Sequence, residues 1–163
     1  HRDVKPANFL LDRAGRARLT DFGIANIHET GETGANGFAG TPHYMAPEQC
    51  GGRPVTPAAD LFSLGVMLYR MIGGSLPFDA DTPFELVRKI QTHEPPRLNK
   101  ALPDVPDDVA RAVAHLMAKA PETRPESAAA VRNLLGRLQA EQGGRSALPT
   151  ALAAFIAEQA EVQ

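Results

Sequence analysis

Hydrophobic positions fall into two regimes along the chain. Near the start they come as short runs, Phe9-Leu10-Leu11 and Ala17-Arg18-Leu19, around the polar turn Asp12-Arg13-Ala14-Gly15. Runs of that length, with the second alternating apolar and polar and a glycine-bearing turn between them, predict a two-stranded hairpin. From Thr56-Pro57 onward the period becomes helical, through Leu61, Phe62, Leu64, Val66, Met67, Leu68, Met71 and Ile72 to Gly73-Gly74. Proline suits the first helical position and glycine the end, so one long helix is predicted, and apolar residues nearly all round it predict a buried spine. Asp81-Thr82-Pro83 caps a further helix to about residue 92, Asp107 opens another to about 118, and Glu126 a third to about 140. Residues 27–40, rich in Gly, Thr, Asn and Glu without apolar periodicity, are expected to form a mobile loop. Residues 141–163 read as a linker and C-terminal helical tail, with Leu148, Leu152, Phe155 and Ile156 at helical spacing, a docking helix or tether more than a functional site. The pattern as a whole predicts a mainly α chain with a small β-hairpin.

Composition narrows the function classes. The 43% hydrophobic content over 163 residues is ample for a sizeable core. Lys plus Arg number 17 against 19 for Asp plus Glu, a formal charge of −2, so there is no basic footprint for nucleic acid. No run is long enough for a transmembrane helix and no signal peptide is visible, which fits a cytoplasmic module, although an anchor elsewhere in a longer protein would not show here. The lone cysteine, Cys50, has no internal disulfide partner and is expected to serve in buried packing. His28, His93 and His115 are scattered and read as ordinary histidines rather than ligands or bases.

The densest chemistry opens the chain, in His1-Arg2-Asp3-Val4-Lys5-Pro6-Ala7-Asn8. Phosphoryl transfer needs a group that orients a hydroxyl, positive charge on the phosphates and hard oxygen ligands for Mg²⁺. Asp3 can accept a hydroxyl proton, Lys5 can offer an ammonium to the transferring phosphate, and Asn8 can give a carbonyl oxygen to the metal. Thirteen positions after Asn8 comes Asp21-Phe22-Gly23, directly after the second predicted strand. A carboxylate there would chelate the same Mg²⁺, Phe22 would pack inward, and Gly23 would let the chain turn. The tripeptide alone is weak, and its spacing from Asn8 makes it strong.

With these residues the chain resembles the protein kinase family, specifically the C-terminal lobe of a bacterial-type serine/threonine kinase, from His1 to about Leu138. Gly40-Thr41-Pro42 and Ala46-Pro47-Glu48 are similar to the stretch that closes the activation segment. Asp60-Leu61-Phe62-Ser63-Leu64-Gly65 resembles the opening of the long central helix, with Phe62 where many members carry Trp. Lys119-Ala120-Pro121-Glu122-Thr123-Arg124-Pro125 resembles a late signature, with Ala120 where Asp is common. Neither departure touches a catalytic group.

The resemblance implies a fold and a set of roles. The fold would be a protein-kinase-like C-terminal lobe, incomplete because it lacks the N-terminal ATP-covering lobe, with residues 1–140 a partial kinase domain. The cofactors would be ATP with Mg²⁺, or Mn²⁺ in its place, and the partner a protein with a Ser or Thr acceptor. Lys5, two positions after Asp3, favours Ser/Thr over Tyr, and Thr41 would hydrogen-bond Asp3 and Lys5. Glu48 with Arg124, and Asp60 beneath the catalytic loop, would be structural struts. Arg2 would pair with a phosphate on Thr30 or Thr33, Thr33 being the better placed, eight residues before Thr41. The Gly-rich loop, the strand lysine and the helix glutamate of the full signature are absent. A first residue of His rather than Met is most simply explained by truncation, and the chain alone is expected to be inactive. The alternatives are a pseudokinase or scaffold-type binding module, or an inert product that folds poorly.

Overall fold

The computed structural model describes residues 1–13, 16–21 and 42–141. The early apolar runs form strands β1 (Phe9–Leu11) and β2 (Ala17–Leu19), antiparallel with Phe9 opposite Leu19 and Leu11 opposite Ala17. The hairpin is unevenly covered. Leu19 is half-buried, but Leu10 and Leu11 are 60% and 41% exposed because no described element packs over them.

The rest is helical: α1 (Pro47–Cys50), α2 (Ala58–Gly73), α3 (Pro83–Thr92), α4 (Leu98–Ala101), α5 (Asp107–Leu116) and α6 (Ala128–Glu141). Helix α2 is the spine that its sequence predicts, with Leu61, Phe62, Val66 and Met67 buried and Gly74 ending it at φ 74°, where a side chain would be strained. Its start differs from expectation: Pro57 is the N-cap and Ala58 the first helical residue. Helix α3 begins as predicted, the Thr82 hydroxyl accepting from the Glu85 N–H at 3.2 Å. Helix α5 stops at Leu116, two residues early, and α6 starts two residues late because the Ser127 hydroxyl accepts the Ala130 N–H and so caps it.

The core lies where α2 crosses α5. Phe62, Val66, Phe78, Ile90, Val113 and Leu116 are each at most 2% exposed, and burying a side chain of this size contributes about 1.5–3 kcal/mol. Gly65 makes the crossing close: a Cβ there would lie 2.8 Å from Leu116 Cβ and 2.8 Å from Met117 Cγ. Phe62 and Phe78 stack with centroids 6.1 Å apart, and two cations flank the pair. Lys119 Nζ sits 4.1 Å from the Phe78 centroid and Arg124 Cζ 5.1 Å from that of Phe62. Burial lowers the Lys119 ammonium to about 8, with Arg124 adding repulsion and Glu94 opposing. Cys50 is half-buried against this core rather than fully enclosed, and burial, helped by Glu48, pushes its thiol up to about 11. His93 and His115 are exposed, and no described helix is long and apolar enough to cross a membrane.

Candidate active site

Polar groups at the start of the chain converge on Asp3. A short 3₁₀ turn, Pro6–Asn8, reverses the backbone so that Asn8 comes back over Asp3, its side-chain nitrogen donating to the Asp3 carbonyl at 2.7 Å and to Oδ2 at 3.0 Å. Lys5 Nζ lies 2.8 Å from the same Oδ2. With side chains 38% and 40% exposed, Lys5 and Asp3 remain open to solvent. The Asn8 amide nitrogen is turned to Asp3, so what the amide can offer a cation is its oxygen. The Asn8 carbonyl accepts both the Thr20 N–H at 2.8 Å and the Thr20 hydroxyl at 3.2 Å, which ties the end of β2 to the loop and brings Asp21 directly after that tie. Among the described residues no group of three or more His, Cys, Asp or Glu forms a metal cage. Asn8 and Asp21 would be two hard oxygen donors of the kind Mg²⁺ accepts alongside water and phosphate.

The loop is held in a conformation that it would not adopt alone. Arg2 and Asp21 are the non-glycine residues with positive φ among those described, at 69° and 57°. Such positions cost about 1–3 kcal/mol each and persist where surroundings over-determine them. For Arg2 those surroundings are visible. Asp60 Oδ1 accepts the Arg2 N–H at 2.8 Å and Oδ2 accepts from the His1 backbone nitrogen at 2.9 Å. The His1 ring bridges onward: Nε2 donates to the Thr20 carbonyl at 2.8 Å, and Nδ1 accepts the Asp3 N–H at 3.3 Å, an assignment forced because a carbonyl can only accept. The Arg2 carbonyl accepts from Gln49 Nε2 at 3.0 Å.

Residues 1–135 match the family model of the protein kinase domain. The chain belongs to the protein kinase family. It is 42% identical over 137 residues to the DNA damage-responsive serine/threonine-protein kinase RqkA of Deinococcus radiodurans, covering 82% of this chain and 20% of that protein. It is 36% identical over 129 residues to the serine/threonine-protein kinase PrkC of Bacillus subtilis, covering 78% and 20%. A third relative, the serine/threonine-protein kinase PkaA of Streptomyces coelicolor, is 38% identical over 138 residues, covering 82% and 25%. The chain thus spans about a fifth to a quarter of the length of these bacterial kinases.

Away from the loop, Glu48 meets Arg124. Glu48 and Arg124 form a bidentate pair, Nη1 to Oε1 at 2.7 Å and Nη2 to Oε2 at 2.8 Å, with side chains 2% and 0% exposed. The remaining guanidinium N–H groups donate to the carbonyls of Ala118, Ala58 and Lys119, so all five donors are used. Burial raises the Glu48 carboxyl, but the Arg124 hydrogen bonds and the Glu48 backbone contact outweigh it and hold the carboxyl below its ordinary range. Helix α2 also grips the turn at Pro42–Tyr44: Ser63 Oγ donates to the Tyr44 carbonyl at 2.6 Å and Arg70 Nη1 to the Tyr44 hydroxyl at 2.9 Å. On the far side of that turn His43 meets Asp79 at 3.2 Å.

Thr30, Thr33, Thr41, Phe22, Gly23, the 27–40 loop and the 142–163 tail lie outside the described residues. Ser63, Arg70 and Gln49 carried no role in the sequence-based expectations. For Gln49 a signal existed, since a Gln three residues after a helix N-cap can reach back to the N-cap N–H, and its Oε1 accepts the Ala46 N–H at 2.9 Å.

Proposed function

We propose that this chain is the catalytic-loop-to-last-helix part of the C-terminal lobe of an ATP-dependent serine/threonine kinase, and that it transfers a γ-phosphoryl group to protein hydroxyls once joined to an ATP-covering lobe. The observation that carries this is the convergence of Lys5 and Asn8 on the exposed Asp3 carboxylate, with Asp21 tethered alongside through Thr20 and Asn8. Bound Mg-ATP supplies the phosphoryl group and the charge of the metal, and Mn²⁺ would suit the same oxygen donors.

The chain's own residues do the rest. Asp3 would accept the proton as the Ser or Thr oxygen forms its bond to the γ-phosphorus, while the bond from that phosphorus to the bridging oxygen breaks and its electron pair leaves on ADP. Lys5, already within 2.8 Å of Asp3, sets its ammonium against the negative charge of the transferring group. Asn8 Oδ1 and the Asp21 carboxylate would hold the metal. Thr41 would close the substrate side against Asp3 and Lys5, and a phosphate on Thr33 or Thr30 would order that segment through the exposed Arg2 guanidinium. Lacking a grip on adenine, the 163-residue chain by itself neither binds Mg-ATP tightly nor phosphorylates a protein. Calorimetric titration with Mg-ATP tests that point, and micromolar affinity would refute it. For the reaction, the test is ATP-dependent labelling of a Ser/Thr protein substrate by the longer kinase that carries this segment. Labelling confined to tyrosine, or none at all, would overturn the assignment.

A further inference from the structure

We infer that Gln49 is a positioning residue for Asp3, locking the peptide unit that carries the catalytic carboxylate to the first turn of α1. The inference rests on the phosphotransfer reading for its consequence but on geometry for its content. One side chain uses both ends of its amide: Oε1 accepts the Ala46 N–H at 2.9 Å and Nε2 donates to the Arg2 carbonyl at 3.0 Å, 47 residues away in sequence. A flipped amide would set NH₂ against an N–H and oxygen against a carbonyl, so the partners fix its orientation.

The Arg2 carbonyl and the Asp3 N–H belong to one planar peptide unit. Gln49 holds its oxygen and the His1 ring holds its N–H, while Asp60 holds the preceding N–H, that of Arg2. Rotation of that plane would swing Asp3 away from Lys5 and Asn8. Asp60 alone does not block the rotation, because it grips only the far side of the Arg2 Cα. Gln49 is itself anchored: Ala46 is fully buried, and the neighbouring Glu48 is locked to Arg124. The buried ion pair at the base of the lobe is thereby connected to the catalytic carboxylate through two adjacent residues of one short helix.

The test is nuclear magnetic resonance on the 163-residue chain, comparing wild type with Gln49→Glu, which keeps an acceptor for Ala46 but sets an oxygen against the Arg2 carbonyl, and with Gln49→Met, which removes both bonds. The inference predicts an upfield move of the Arg2 carbonyl ¹³C resonance in both variants. It also predicts a one-bond Cα–Hα coupling at Arg2 that leaves its positive-φ value, while the methyl signals of Val66 and Val113 stay unchanged. An unchanged Arg2 in either folded variant would overturn it. Should both variants unfold, the wild type decides: a nuclear Overhauser contact between the Gln49 amide protons and the Arg2–Asp3 peptide supports the inference, and its absence overturns it. In the longer kinase, Gln49→Glu should lower kcat about tenfold and leave the KM for ATP within about twofold, as expected for a misplaced catalytic group. An inactive wild-type kinase would count against the phosphotransfer reading and leave the Arg2 resonances to judge Gln49.

Discussion

Replacing Glu48 by alanine should be among the most damaging single changes in this chain, because Glu48 is a buried carboxylate at 2% exposure. The substitution removes two of the five hydrogen bonds of Arg124 and leaves its guanidinium, 0% exposed, as an uncompensated buried charge. Breaking a buried pair from one side typically costs about 3–5 kcal/mol, a large share of the roughly 5–15 kcal/mol that holds a domain together. The three carbonyl contacts that survive cannot neutralise the charge, and the Phe62 face offers it only a modest cation–π attraction. The exposed Asp107–Arg111 pair, at 3.2 Å, is the internal control, and Arg111→Ala should cost less than about 1 kcal/mol. Urea unfolding with an unchanged m-value is the assay. The double variant Glu48→Met/Arg124→Leu should regain much of the loss, because filling the site with apolar groups removes the stranded charge. The pair also sets a pH dependence. Because the Glu48 carboxyl is depressed in the folded state, its stabilisation is present above its ordinary value of 4.5 and is lost as pH falls through the folded-state value. A loss below about 1 kcal/mol for Glu48→Ala with m unchanged would refute this reasoning, since it would mean that water or another anion reaches Arg124.

Two further outcomes follow from the core. Gly65→Ala should destabilise by about 1–3 kcal/mol in thermal or urea unfolding, because the close approach to Leu116 and Met117 outweighs the roughly 1 kcal/mol that alanine gains in a helix interior; a stabilised variant would show that α2 and α5 are farther apart than described. Lys119, lowered to about 8 from 10.5, binds fewer protons folded than unfolded between those values, so stability relative to Lys119→Met should rise across that window by about 1–2 kcal/mol after screening, and a flat difference would contradict its burial.

Much of the architecture is legible in the sequence because it is written in periods. The hairpin follows from two short runs around a turn, and α2, α3, α5 and α6 from apolar spacing with caps, the starts of α2 and α6 misjudged by one or two residues where a proline or Ser127 decides the first turn, and the end of α5 by two. The short helices α1 and α4 show no period, being only four residues each, and they form because Pro47 presets the first turn or because Leu98 is drawn into the core. Asp3, Lys5 and Asn8 are legible because the chemistry and the contacts fall within eight residues. The Glu48–Arg124 contact spans 76 residues and is suggested by resemblance, not by local pattern. Gln49 shows the limit most clearly. Its reach back to Ala46 follows from a local rule, whereas its hold on Arg2 exists only once α2 has brought the two segments together.

The central claim is that Asp3 is the proton acceptor of a phosphoryl transfer, and the direct measurement is the turnover of the longer kinase with Asp3→Asn against wild type on a Ser/Thr protein substrate at saturating Mg-ATP. The account predicts a fall in kcat of about 10²–10⁴-fold with the unfolding midpoint little changed, because the amide keeps the shape and loses the base. Turnover within about threefold of wild type would contradict it, since general-base catalysis of this kind cannot be lost at so small an effect.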